Sequence, residues 1–356
     1  MPDIFAACIG LGRVGTSWAM TAWMSAALLL VATPLAAEPV ADFYRGKTIN
    51  LLIGTSTGND YDFRARLIAR HMPRHIPGEP QILARNMPGG GGVVAANYLA
   101  NIAPRDGTVL HAIMSNMMTT QAMGVQGVLF DTRKFRWIGN TSSVPNVVNA
   151  WHTTGITSIE QTRTQELVIG APVGTAGVLY GTALNKIAGT RLKIVTGYPG
   201  GAEVNLAMER GEVNGRGSNS WAAWKSTKPE WVRDGKLKIL VQVGLTRHPE
   251  LPDVPLLLEL ASNDLDRKVM AFISAETAIA RAFVAAPEIP ADRLEALRRA
   301  FDATMKDPLL LEEAEKQSLD INPMPGKDAQ AIADGIANAE PAVVARAREL
   351  FGELIR

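Results

Sequence analysis

The 356-residue chain is 47% hydrophobic and 20% charged, a balance that fits a folded globular protein and excludes a disordered one. Its 36 basic and 35 acidic residues leave a net charge of +1 with no basic run, so nothing marks a nucleic-acid partner. A chain of this length can bury a large core and divide into two lobes.

The first 37 residues hold only two charged side chains, Asp3 and Arg13. An almost wholly apolar run over residues 18–31 leads to Thr33-Pro34-Leu35-Ala36-Ala37 and then to Glu38. That order reads as a secretory signal over residues 1–37, giving a periplasmic protein that is soluble after cleavage. The run is shorter than the ~20 residues of a membrane span. The sole cysteine, Cys8, falls inside this segment, so the mature chain has no disulfide or thiol chemistry to draw on. Gly10-Leu11-Gly12-Arg13-Val14-Gly15 has the form of a dinucleotide fingerprint, yet too few residues precede it to make the strand that motif needs. No cofactor is expected.

Beyond the signal, residues 48–53 read as a buried strand. A helix over 62–71 follows, with Phe63, Leu67 and Ile68 on one face and Asp62 paired with Arg66 one turn on. Pro77-Gly78 breaks the chain, 81–84 is a second strand, Gly89–Gly92 leads into a helix ending near residue 100, and 109–114 is a third strand. Thr157 and Glu160 fit a capping box. A strand at 167–169, a helix over 175–188 stopped by Gly189, a strand at 192–196, a helix over 203–210 stopped by Gly211, and a strand at 238–243 repeat the pattern. The last third is helical: Leu294, Leu297, Phe301 and Met305 keep helical spacing, and 342–354 forms a final helix. Strands alternating with helices imply an α/β protein with parallel sheet. No linker separates two halves, so the chain is expected to cross between lobes more than once.

Gly54-Thr55-Ser56-Thr57-Gly58, between a strand and a helix, matches the nucleophile elbow of serine hydrolases. An exported hydrolase using Ser56 is therefore the alternative reading. It lacks the late histidine of that triad order, since the last histidine is His248. The same loop can instead turn its N–H groups and hydroxyls toward a ligand. Pro88-Gly89-Gly90-Gly91-Gly92 lacks the lysine of a phosphate loop and is read as close backbone packing. His71 and His75 have ligand spacing, but Pro73 lies between them, so no metal is expected. Trp221, Trp224 and Trp231 are assigned to core.

From Asp42 onward the chain resembles the solute receptors of tripartite tricarboxylate transporters, the Bug or TctC family. The likeness is carried by Phe43-Tyr44-Arg45-Gly46-Lys47-Thr48-Ile49, Tyr61-Asp62 with Arg64-Ala65-Arg66-Leu67, Ile76-Pro77-Gly78 and Asn86-Met87-Pro88-Gly89-Gly90-Gly91. Ala95-Ala96-Asn97-Tyr98-Leu99, Ala103-Pro104-Arg105-Asp106-Gly107-Thr108, Thr196-Gly197-Tyr198-Pro199-Gly200 and Ala207-Met208-Glu209-Arg210-Gly211-Glu212-Val213 continue it.

The resemblance implies a periplasmic-binding-protein type 2 fold, with two α/β lobes and a cleft between them. Residues 38–141 plus 280–356 would form one discontinuous lobe and 142–279 the other. It implies a non-catalytic receptor, expected to be a monomer, that captures a small organic carboxylate and passes it to integral-membrane permease subunits; a ligand-binding sensor partner is a further alternative reading beside the hydrolase. The ligand would lie against Thr55, Ser56, Thr57, Gly58, Asn59, Asp60, Tyr61 and Asp62 of one lobe, and Gly174, Thr175, Ala176, Tyr198, Gly200 and Gly201 of the other. One departure stands out: family members often read Gly-Gly-Gly-Tyr-Asp where this chain reads Gly58-Asn59-Asp60-Tyr61-Asp62. Asp60 would repel a carboxylate if it pointed inward; facing the cleft, it would favour a ligand that also carries an amine or hydroxyl. Both principal loops join a strand's C-terminal end to a helix N-terminus, where unpaired N–H groups and the helix dipole favour an anion.

Overall fold

A computed structural model describes residues 40–143, 145–172, 175–352 and 354. The signal expected over 1–37, with Cys8 and the glycine pattern at 10–15, lies outside the described residues, as does Gly174. The described chain forms one compact unit. Its first stretch runs α1 (Val40–Tyr44), β1 (Thr48–Ile53), α2 (Asp60–His71), β2 (Gln81–Asn86), α3 (Val93–Asn101), β3 (Val109–Ala112), α4 (Met117–Ala122) and β4 (Arg136–Asn140). The middle runs β5 (Asn146–Trp151), β6 (Leu167–Pro172), α5 (Ala176–Ala188), β7 (Leu192–Tyr198), α6 (Gly201–Glu209), β8 (Gly215–Ser220), α7 (Trp221–Thr227), α8 (Pro229–Arg233) and β9 (Leu237–Val243). The chain ends with α9 (Asp264–Ala275), β10 (Ala282–Ala285), α10 (Ala291–Thr304), α11 (Pro308–Lys316), β11 (Met324–Pro325), α12 (Gly326–Ala337) and α13 (Pro341–Phe351).

Two sheets organise these elements. One has the order β11-β4-β10-β3-β1-β2 and the other β7-β6-β8-β5-β9. The chain leaves the first sheet at the end of β4, enters the second at β5, and returns at β10. The parallel pairing expected from the βα alternation holds for β1 with β2 and β3, and for β6 with β7 and β8. It fails at the crossings: β10 runs antiparallel to β3 and β4, and β5 antiparallel to β8 and β9. A strand fed from the other sheet starts at the end where its parallel neighbours finish, so it must run the opposite way. The strands that make the crossing lie inside their sheets, β10 between β4 and β3 and β5 between β8 and β9.

Local chemistry explains most of the boundaries. In β1 the residues Ile49, Leu51, Leu52 and Ile53 are all buried. The helix after it begins at Asp60 rather than 62, because the Asn59 side chain accepts from the Asp62 N–H and caps it. Leu67 and Ile68 face the core as expected, but Phe63 is exposed; Arg64 and Ala65 hold the inner face instead. The capping box expected at Thr157 and Glu160 does not form. The Gln161 side chain accepts from the Thr157 and Ser158 N–H groups, and Glu160 opens only a short 3-10 turn.

The main apolar core spreads under the first sheet and along α5 and α9. A second cluster gathers Trp151, Trp221, Trp224 and Trp231 with Val147, Met208 and Val213 on one side of the second sheet. Trp151 and Trp231 meet edge-on at 4.5 Å between ring centres. The last helix, α13, touches elements of both parts of the chain: Arg348 donates to the Ala122 and Met123 carbonyls at the end of α4, at 3.0 and 2.9 Å. Lys186 of α5 donates to the Leu350 carbonyl at 2.7 Å, and Arg346 pairs with Asp266 of α9 at 2.9 Å. No helix among the described residues is long and apolar enough to cross a membrane.

Candidate functional site

The loop after β1 is built around two side chains. Asn59 donates to Thr55 Oγ1 at 2.9 Å and to the Ser56 carbonyl at 2.6 Å while its Oδ1 caps α2. Asp62, buried, accepts from the Gly58 N–H at 3.0 Å and from Arg66 and Asn86, each at 3.0 Å. Burial works against its ionisation, but the Arg66, Gly58 and Asn86 donors hold it below the usual carboxylate range. Gly58 takes a positive φ of 85° to present that N–H. Asn59, Asp62, Gly58 and Thr55 therefore shape the loop from within. The first-turn N–H groups of Asp60 and Tyr61, which no helical carbonyl can reach, remain at its surface, with Ser56 and Thr57 exposed beside them. Below the loop, the fully buried His111 gives Nδ1 to the Leu52 carbonyl at 3.1 Å, and burial pushes the imidazole down to about 4.

Asp60 neither faces solvent nor stands bare in the cleft. Its carboxylate accepts from Arg64 Nε at 2.9 Å and from Arg281 Nε. Burial alone would raise it; the two guanidiniums hold it below its usual range. Arg281 also stacks on the Tyr61 ring, 4.3 Å from its centre, and Tyr61 OH meets Ser115 of the loop after β3. One carboxylate between two guanidiniums leaves the group with net charge +1. The repulsion expected from Asp60 is thus cancelled by two cations, one of them 221 residues away, just before the strand that returns from the second sheet.

On the second sheet, β6 delivers Thr175 to the start of α5. Thr175 turns its hydroxyl back to the Pro172 carbonyl at 2.7 Å instead of capping the helix. Ala176 opens α5, and Gly177 lies so close to β8 that an added Cβ would sit 3.2 Å from the Ser218 nitrogen. Tyr198 ends β7 and packs on the tryptophan cluster, while Gly200 caps α6 and Gly201 opens it. Arg216 of β8 reaches the same helix start, donating to the Gly201 carbonyl at 3.3 Å and to Asn205 Oδ1 at 2.9 Å.

Where the chain passes between sheets, Glu276 is buried and touches both sides. It accepts from Thr119 of α4 at 2.9 Å and from Tyr180 of α5 at 3.2 Å, and Tyr180 OH in turn accepts from Asn146 at the start of β5. Burial pushes its carboxyl up to about 7. Arg281, Arg216 and Glu276 went unmarked in the sequence because each is a lone polar residue whose partners are distant in the chain. His71 and His75 pair with Glu313 and Asp307.

The family model described as tripartite tricarboxylate transporter family receptor matches residues 65–347. A UPF0065 protein of Bordetella bronchiseptica is 23% identical over 230 residues, which span 62% of this chain and 64% of that protein. A UPF0065 protein of Cupriavidus necator is 27% identical over 242 residues, 64% and 68% of the two lengths. The chain thus spans about two thirds of the curated relatives it matches. Among solved structures, a TctC solute-binding protein from Polaromonas superposes with TM-score 0.63 at 17% identity, covering 87% of this chain and 99% of that one. A protein of R. palustris solved with adipate gives 0.61 at 20% identity, over 86% and 97% of the two chains. A Rhodopseudomonas palustris protein solved with malate gives 0.61 at 17%, over 85% and 98%. The fold is that of the two-lobed α/β periplasmic solute-binding proteins, with a cleft between the lobes.

Proposed function

The chain belongs to the tripartite tricarboxylate transporter receptor family, and from that membership we propose that it captures a small organic carboxylate in the periplasm for integral-membrane permease subunits. In this reading residues 1–37 are a signal that is removed, 38–141 with 280–356 form one lobe, and 142–279 form the other. A monomer closes on its ligand without catalysing a reaction. The carboxylate lies between the loop of Thr55, Ser56, Thr57, Gly58, Asn59, Asp60, Tyr61 and Asp62 and the loop of Gly174, Thr175 and Ala176, with Tyr198, Gly200 and Gly201 beside it.

The observation that carries this reading is the start of α2. First-turn amides of Asp60 and Tyr61, without a hydrogen-bond partner among the described residues, stand beside a largely buried Asp60–Arg64–Arg281 group of net positive charge. Such a place favours an anion over a neutral solute. Hydrogen bonds to a charged group contribute roughly 1.5–3 kcal/mol each, so a handful reaches the ~8 kcal/mol of micromolar binding. The neighbours solved with adipate and malate support the same ligand class. A thermal-shift screen over organic acids, amino acids and sugars, followed by calorimetry, tests it. Stabilisation by carboxylates alone is the expected result. Tight binding of a neutral sugar with no carboxylate bound would overturn it.

A further inference from the structure

Buried polar atoms without partners gather in one place on the second sheet. Asn149 of β5 and Arg216 of β8 stand opposite each other in the antiparallel register, and so project from the same face. Asn149 is wholly buried, and neither its amide nitrogen nor its oxygen has a hydrogen-bond partner among the described residues. Arg216 Nε and Trp224 Nε1 are likewise buried and unpartnered. The Arg216 guanidinium stacks over the Trp224 ring, 5.3 Å from its centre, which draws these groups together. A folded protein leaves few such atoms unsatisfied, and a cluster of them asks for a ligand or ordered water.

The charge decides between these. No carboxylate among the described residues pairs with Arg216; its hydrogen bonds go to the Gly201 carbonyl and the Asn205 amide oxygen. Burial lowers its pKa to about 10 with no opposing carboxylate. The guanidinium also stands at the first turn of α6, whose unpaired N–H groups carry potential of the same sign. Gly201 has no room for even a methyl group beside Nη2. The cation, the helix start, the indole N–H and the Asn149 NH2 are donors, and the Asn149 oxygen is the one acceptor among these unpartnered atoms. Water would satisfy hydrogen bonds but leave the charge uncompensated, whereas an oxyanion answers the donors and the charge together.

We propose that Arg216, with Asn149 and Trp224 Nε1, receives a second carboxylate of the ligand, making the receptor selective for dianions. This rests on the carboxylate-receptor reading above and adds the residue that sets ligand charge. Gly200 and Gly201 then serve by letting α6 start close to the guanidinium.

The test is calorimetry with adipate against hexanoate and succinate against butyrate, on the wild type, Arg216→Met and Asn149→Asp, with tryptophan fluorescence as a second readout. The wild type should bind each diacid at least tenfold more tightly than its monoacid, and diacid binding should change the Trp224 emission. Arg216→Met should lose at least tenfold for the diacids, keep monoacid affinity within twofold, and drop the fluorescence change. Asn149→Asp places an internal carboxylate opposite Arg216, and should cause the same selective loss in a chain of near-identical shape. Diacid affinity within twofold of wild type in either folded variant would overturn the proposal and leave the carboxylate reading standing. Failure of the wild type to bind diacid and monoacid alike would overturn both.

Discussion

Replacing Glu276 with Gln tests whether the junction between the two sheets holds a neutral acid. In the folded chain this carboxyl is buried between Thr119, Tyr180 and the start of β5. Burial raises it from an ordinary value of 4.5 to about 7. Between those values the native state keeps the proton and the unfolded state releases it. Stability from this group is therefore greatest at low pH, falls as pH rises through that window, and is level above about 7. At about 1.4 kcal/mol per pKa unit the loss is about 3 kcal/mol. His111 works in the opposite direction. It is held neutral, lowered from 6.5 to about 4, so the unfolded state takes up a proton below 6.5 and stability falls as pH drops from there to about 4. The two effects partly cancel in the wild type, which makes its own pH curve a poor guide. Glu276→Gln mimics the protonated acid at every pH and leaves His111 in place. Urea denaturation of both proteins from pH 4 to 9 should show the variant about 3 kcal/mol more stable than wild type at pH 8, with the difference vanishing near pH 4.5. In thermal scans this is several degrees in Tm, at about 2 °C per kcal/mol for a large chain. Parallel curves across the whole range, or a variant less stable at pH 8, would refute the assignment of a neutral buried acid.

Three further outcomes follow from the site. Asp60→Asn removes the one anion between Arg64 and Arg281; unfolding should cost about 1–3 kcal/mol less while carboxylates bind more tightly by calorimetry at low salt, and weaker binding would count against that cluster's place beside the ligand. Asn59→Ala removes the cap of α2 and the ties to Thr55 and Ser56, with an expected loss of about 1 kcal/mol in denaturant melts and lower ligand affinity. Gly217→Ala would set a Cβ 2.7 Å from the Gly177 carbonyl oxygen, forcing β8 off α5 at about 1–3 kcal/mol, and a variant as stable as wild type would show that the strand has slack.

Much of the frame was legible in the chain itself. Apolar runs such as residues 48–53 and 167–169, with glycine stops at Gly189 and Gly211, mark strands and helices because burial and backbone freedom act over a few residues. The turn after β1 was legible for the same reason: a strand end, a glycine turn and a helix start are local. Gly215-Arg216-Gly217-Ser218-Asn219-Ser220 has none of the branched or aromatic residues of a strand, yet it forms β8 between β6 and β5. Only packing makes it one: α5 comes so close at Gly177 that Gly217 has no space for a side chain. The antiparallel crossings at β5 and β10 were hidden too, since strand direction depends on which sheet feeds which. The charges depend most on tertiary structure. Asp60 looked like a source of repulsion until Arg281 arrived from 221 residues away, and Arg216 and Glu276 owe their states to burial and to partners from other elements. Hydrophobic pattern is a near-neighbour property, but the electrostatics of a site depend on distances in space, and those exist only once the strands have taken their places.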